Sequence, residues 1–135
     1  MNVRVLAFGA ALFLSAGSVS AHHSFAAEYD ANKPVKLTGA VTKIEWNNPH
    51  VYFYIDVRDE KTGKVTNWAW EMGAPAVIAR RGWTRTTMKI GDLVIVEGSQ
   101  AKSGNPHGNA RTVRMAKTGQ VLGAGSSQGE PAGDQ

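Results

Sequence analysis

Val35-Lys36-Leu37-Thr38-Gly39-Ala40-Val41-Thr42-Lys43-Ile44-Glu45-Trp46 decides how this chain folds. Val35, Leu37, Gly39 and Val41 alternate with Lys36, Thr38, Ala40 and Thr42, the period of two that marks a half-buried strand. Ile44 and Trp46 then fall on the opposite parity, so the apolar phase slips within one continuous run. A slip in a long strand with a glycine at its middle predicts a β-bulge and strong coiling. The first strand of a small closed barrel needs both.

Working outward, Asn47-Asn48-Pro49 reads as a turn. A second strand is predicted over 50–58, with Val51, Phe53, Ile55 and Val57 on one face and Tyr52, Tyr54 and Asp56 on the other. A polar hairpin loop with Gly63 leads to a third strand over 65–72. Pro75 opens a short helix over 75–81, and Gly82 suits the position just past its end. The fourth and fifth strands are placed at 93–98 and about 110–117, separated by a polar loop. The order β-β-β-α-β-β predicts a mainly β domain, a five-stranded OB-like Greek-key barrel with its helix between strands three and four. The alternative is a β-sandwich. Residues 22–34 read as an N-terminal arm. Residues 118–135, rich in Gly, Ser and Gln, read as a disordered tail.

Upstream of the arm, Arg4 precedes an apolar run over 5–14 and the small-residue segment Val19-Ser20-Ala21. This is the pattern of a cleavable signal peptide, residues 1–21. The run is shorter than the roughly 20 residues a spanning helix needs. The expected location is therefore periplasmic or secreted, without a membrane span after cleavage. The whole chain carries 15 Lys+Arg against 11 Asp+Glu, a net charge of +4. Its basic residues are scattered apart from Arg80, Arg81, Arg85 and Lys89, which read as a solvated helix end; no nucleic-acid partner is expected. The chain has no cysteine, which excludes thiol chemistry, thiolate zinc sites and iron–sulfur clusters.

The four histidines are His22, His23, His50 and His107. Cleavage after Ala21 would make His22 the N-terminus, and its α-amine and Nδ1 would chelate a metal together. Imidazole suits copper, zinc and nickel. His22, His23 and His50 are the first candidate ligands, copper the first candidate metal, and His107, Glu28 and Asp30 further ligand candidates. The competing reading is a solvated terminus and a histidine that merely starts a strand. Aromatic residues offer a second kind of site. Tyr52, Tyr54, Trp46, Trp68 and Trp70 are candidates for stacking on a small molecule or glycan, or for meeting a protein; against this, the tryptophans can simply fill the core. No nucleophile elbow, phosphate loop or paired-carboxylate motif is present. Glu45 and Glu71 could face each other across strands one and three.

Several short motifs together resemble a family of short exported bacterial proteins of unknown function. They are His22-His23-Ser24-Phe25, Leu37-Thr38-Gly39-Ala40-Val41, Trp46-Asn47-Asn48-Pro49-His50, Trp68 to Glu71, Gly82-Trp83, and Gly91 to Gly98. The resemblance spans about residues 22–117. It implies export and a compact barrel and supplies no activity. The sequence thus leads to an exported binding protein, with copper as its candidate cofactor. A metal-free module using its aromatic face is the alternative. A copper-dependent oxidase is the last, since no substrate surface is recognisable.

Overall fold

The computed structural model describes residues 25–126. The expected signal peptide, His22, His23 and the last nine residues lie outside the described residues. A short helix, α1 (Phe25–Glu28), runs straight into β1 (Tyr29–Trp46). Then follow β2 (Val51–Arg58), β3 (Val65–Glu71), α2 (Pro75–Ala79), β4 (Leu93–Ala101), β5 (His107–Met115) and β6 (Val121–Gly123). The protein is mainly β, and α2 lies between the third and fourth strands as expected. The strands form one six-stranded sheet in the order β3-β2-β1-β4-β5-β6, so the two-sheet sandwich is set aside. β3 also pairs with β5, in parallel, through Ala69↔His107, Trp70↔Gly108 and Glu71↔Asn109. The pairings of the first five strands therefore return to their start.

The phase slip has the predicted cause. The β1–β2 register steps from Val41↔Ile55 to Lys43↔Tyr54, leaving Thr42 as the extra residue. Beyond it Ile44 stands opposite Phe53 and Trp46 opposite Val51, both on the core side, while Glu45 stands opposite Tyr52 on the outer side. Glycine at 39 is a packing requirement, because a β-carbon there would lie 2.5 Å from the Asp56 carbonyl oxygen.

The core is built on Val41, Phe53, Ile55, Trp70, Ile78, Val94 and Val96. Trp70 is wholly buried, and a β-carbon at Gly108 or Gly98 would come within 2.5 or 2.9 Å of its ring. Two glycines on neighbouring strands thus make the slot for the largest side chain of the core.

α2 ends at Ala79 rather than 81, β4 runs on to Ala101 rather than 98, and three further differences from the sequence reading bear on the site and the sheet edge. The expected arm over 22–34 is, from Phe25 on, α1 and the first third of β1, because Tyr29 is 2% exposed and its segment pairs with β4 at Tyr29↔Ala101 and Pro34↔Ser99. Strand five begins at His107 rather than 110, taking in the polar His107-Gly108-Asn109 because β3 pairs with it there. The tail expected to be disordered from 118 supplies a sixth strand: Thr112, Val113 and Arg114 pair with Gly123, Leu122 and Val121. Its small residues are what fit. Ala124 is fully buried, Gly73 N–H donates to its carbonyl at 2.8 Å, and a β-carbon at Gly73 would lie 2.2 Å from the Gly125 oxygen.

Candidate metal centre

Glu71, at the end of β3, is the centre of the most connected polar cluster. Its row on the outer face runs Glu45, Tyr52, Glu71, Asn109 across β1, β2, β3 and β5. The adjacent row runs Lys43, Tyr54, Ala69, His107. Glu45 and Glu71 therefore share a face but do not oppose each other, because β2 with Tyr52 lies between them.

α1 and the start of β1 lie over this face at its β3–β5 end. α1 is tethered there by Lys102, whose backbone N–H donates to the Glu28 carbonyl at 2.9 Å and whose ammonium donates to the Ala26 carbonyl. Phe25 stacks on Tyr29 with ring centroids 5.5 Å apart, and Tyr29 meets His107 edge-on at 5.4 Å. Glu28, one residue ahead of Tyr29, is thereby brought beside His107.

The hydrogen bonds converge on one carboxylate. Tyr29 donates to Glu71 Oε2 at 2.6 Å and Tyr52 donates to the same oxygen at 2.8 Å. His50 Nδ1 lies 3.0 Å from Glu71 Oε1. The Tyr29 hydroxyl is also 2.9 Å from His107 Nε2, and His107 Nδ1 faces Glu28 Oε1 at 3.6 Å. Burial, then the hydrogen bond to Glu71, pushes both the Tyr29 and Tyr52 hydroxyls far above the usual phenol range. Asn109, opposite Glu71 in the parallel register, is 1% exposed, and its amide has no hydrogen-bond partner among the described residues. This row therefore holds buried polar capacity that the described chain does not itself satisfy.

Among the described residues, one group of carboxylates and imidazoles places its ligand atoms within 4.8 Å of one another: Glu28, Glu71 and His107. His50 touches Glu71 but is outside that group. The N-terminal chelate expected to pair with His50 lies outside the described residues; within them, the fold brings together the secondary candidates His107 and Glu28. Tyr29 went unrecognised because the arm gave it no strand pattern, and only its bulk among polar neighbours marks it.

The aromatic candidates divide. Tyr52 belongs to the Glu71 cluster. Tyr54 donates to Glu45 Oε2 at 2.8 Å, with the Lys43 ammonium 5.0 Å from its ring centroid. That bond to Glu45 is the main reason its hydroxyl is pushed above the usual range. Trp70 is core, so its ring is not on the face of the tyrosines. Trp68 is half-buried and stacks on Trp70 at 5.9 Å; Trp46 is half-buried with the Arg85 guanidinium 5.8 Å from its ring.

Fold and cluster define a small, mainly β domain with a carboxylate–imidazole–tyrosine site on its outer face. The chain belongs to a family of unknown function, DUF6152, whose model matches residues 11–111. A search among curated proteins returns no match. No helix among the described residues is long and apolar enough to cross a membrane.

Proposed function

We propose that this is an exported OB-like barrel that binds a transition metal, copper first, at His107 and Glu28. One observation carries the reading: the approach of His107 Nδ1 to Glu28 Oε1 at 3.6 Å. That gap is too long for a good hydrogen bond. It is close to the separation, about 3–3.5 Å, of two ligands bound about 2.0–2.2 Å from one metal. The β1-β2-β3-β5-β4 circuit of pairings supports the barrel, and the segment over 1–21 supports export.

Cleavage after Ala21 supplies the remaining donors. Three residues span at most about 10 Å, and Phe25 already lies one ring from Tyr29 and two from His107. The α-amine and imidazole of His22 would join His107 and Glu28 in an N3O set, which suits copper(II) in tetragonal geometry. His23 and His50 would be reserve nitrogens. The test is a copper titration of the mature chain beside a control with one extra residue ahead of His22. One-to-one binding lost in the control, in His107→Ala and in Glu28→Gln supports the site. Binding unchanged in all three sinks it.

A second reading, a metal-free module for a small molecule, glycan or protein, draws on Trp68. With Leu37, Val57, Arg58 and Glu60 it lines an open groove at the hairpin end of the sheet. Ligand binding lost in Trp68→Ala and kept in His107→Ala would favour it.

A further inference from the structure

The geometry points to Glu71 as a positioning residue that stays outside the metal shell, selects Nδ1 of His107 as the binding nitrogen and fixes the tautomer of His50. The inference rests on the metal reading above and says which atoms carry it. By distance alone Glu71 belongs with Glu28 and His107 as a ligand. Its hydrogen bonds argue otherwise. As a carboxylate it can only accept, and it receives Tyr29 and Tyr52 at Oε2 and His50 Nδ1 at Oε1. A metal at Oε2 would have to displace one of two short charge-assisted bonds, and one at Oε1 would have to share that oxygen with His50, on a side chain only 10% exposed.

The tautomers follow by counting protons. A tyrosine hydroxyl has a single hydrogen. Tyr29 spends it on Glu71, where the contact is 2.6 Å. His107 Nε2, 2.9 Å from the same hydroxyl oxygen, must then be the donor of that pair. In the neutral ring the lone pair is left on Nδ1, which is the nitrogen that faces Glu28. His50 is fixed in the opposite sense, because Nδ1 donates to Glu71 and Nε2 keeps the lone pair. One buried carboxylate thus sets two imidazoles, His50 directly and His107 through Tyr29. Metal-bound histidines are commonly oriented by such an outer acceptor, and removing it typically costs about 10- to 100-fold in metal affinity.

The experiment is long-range proton–nitrogen NMR on the histidine-labelled mature chain at neutral pH, without metal and then with zinc as a diamagnetic probe. The expected spectrum has His107 with its proton on Nε2 and His50 with its proton on Nδ1. Zinc should then move His107 Nδ1 most. Glu71→Gln should scramble the His50 tautomer and weaken zinc binding about 10- to 100-fold. Tyr29→Phe is the gentler variant if Glu71→Gln does not fold; it should release His107 from the Nε2–H form and leave His50 unchanged. Reversed tautomers in the wild-type chain, or, on a chain carbon-labelled at its glutamate carboxyls, a zinc-induced shift of Glu71 beyond that of Glu28, overturn the assignment. The stated tautomers without any zinc response would overturn the metal reading and leave the positioning role standing.

Discussion

Tyr52 and Tyr54 stand two residues apart on one face of β2, and each donates a 2.8 Å hydrogen bond to a glutamate on a neighbouring strand. The two pairs are chemically alike and physically unlike. The side chain of Glu71 is 10% exposed and holds three donors. The Glu45 side chain is 35% exposed and shares its charge with Lys43 at 2.6 Å. Water can replace any partner that Tyr54 or Glu45 loses. Around Glu71 it cannot do so without opening the layer formed by α1 and Tyr29. The same tyrosine–carboxylate bond is therefore a structural joint at one row of the face and a surface contact at the next.

The strongest way to break this comparison is Glu71→Ala. It strands two tyrosine hydroxyls and takes away the partner of the half-exposed His50, and bonds to a charged acceptor are worth about 1.5–3 kcal/mol each. We expect a loss of about 3 kcal/mol in denaturant unfolding. A change no larger than that of Glu45→Ala would show that the two pairs do not differ. Tyr29→Phe should cost about 1–2 kcal/mol, since it removes one buried donor and keeps the ring stacked between Phe25 and His107. Glu45→Ala should leave the unfolding midpoint where it is, as exposed pairs usually do.

Alkaline titration sharpens the contrast without a mutation. The chain has three tyrosines, and all three are bound to carboxylates. A phenol whose folded pKa is raised contributes stability that is complete below its unfolded value, about 10. That contribution is lost as pH rises from there toward the folded value, because the unfolded chain releases the proton first. Tyr29 and Tyr52 are pushed furthest, so the fold should weaken above about pH 10. In phenolate absorbance, Tyr54 should ionise first with the fold intact, and the other two only together with unfolding. Three independent ionisations in the folded protein would contradict the burial assigned to Tyr29 and Tyr52. The smallest effect is at the β2–β3 hairpin. There the backbone N–H groups of Thr62 and then Lys61 hold the Asp59 carboxyl below the usual range. That contribution is present above the ordinary carboxylate value and fades as pH falls through the folded one. Asp59→Ala should flatten the acid limb of a melting-temperature profile slightly and leave neutral pH nearly unchanged.

The strand frame was legible because its signals are local. The parity change between Val41 and Ile44 is visible in the letters and becomes the Thr42 bulge in the register. The Pro75 start of α2 is equally local. The site was legible only in part. His50, Tyr52, Glu71, His107 and Glu28 each drew notice for different reasons, and nothing local joined them. Tyr29 meets Glu71 across 42 positions and His107 across 78. What joins them is the parallel β3–β5 pairing, which periodicity within either strand cannot announce. The sixth strand failed for the opposite reason. Its glycines and alanine look like a solvated tail, yet the space is tight: a β-carbon at Gly125 would meet Val77 and Ile78 at 3.0 Å, and one at Gly73 would run into the Gly125 backbone.

The division of β5 between two partners has a consequence for association between molecules. One edge of β5 is covered by β4 along nearly its whole length. The other is taken by β3 over His107 to Asn109 and by β6 over Thr112 to Arg114, with Ala124 N–H reaching the Arg111 carbonyl between them. An uncovered strand edge is a template on which a second chain can pair. Residues 121–126 therefore act as a guard rail. A chain shortened to end at 117 would expose the β5 edge over 111–115 and invite strand-to-strand dimers, the first step of edge-driven aggregation.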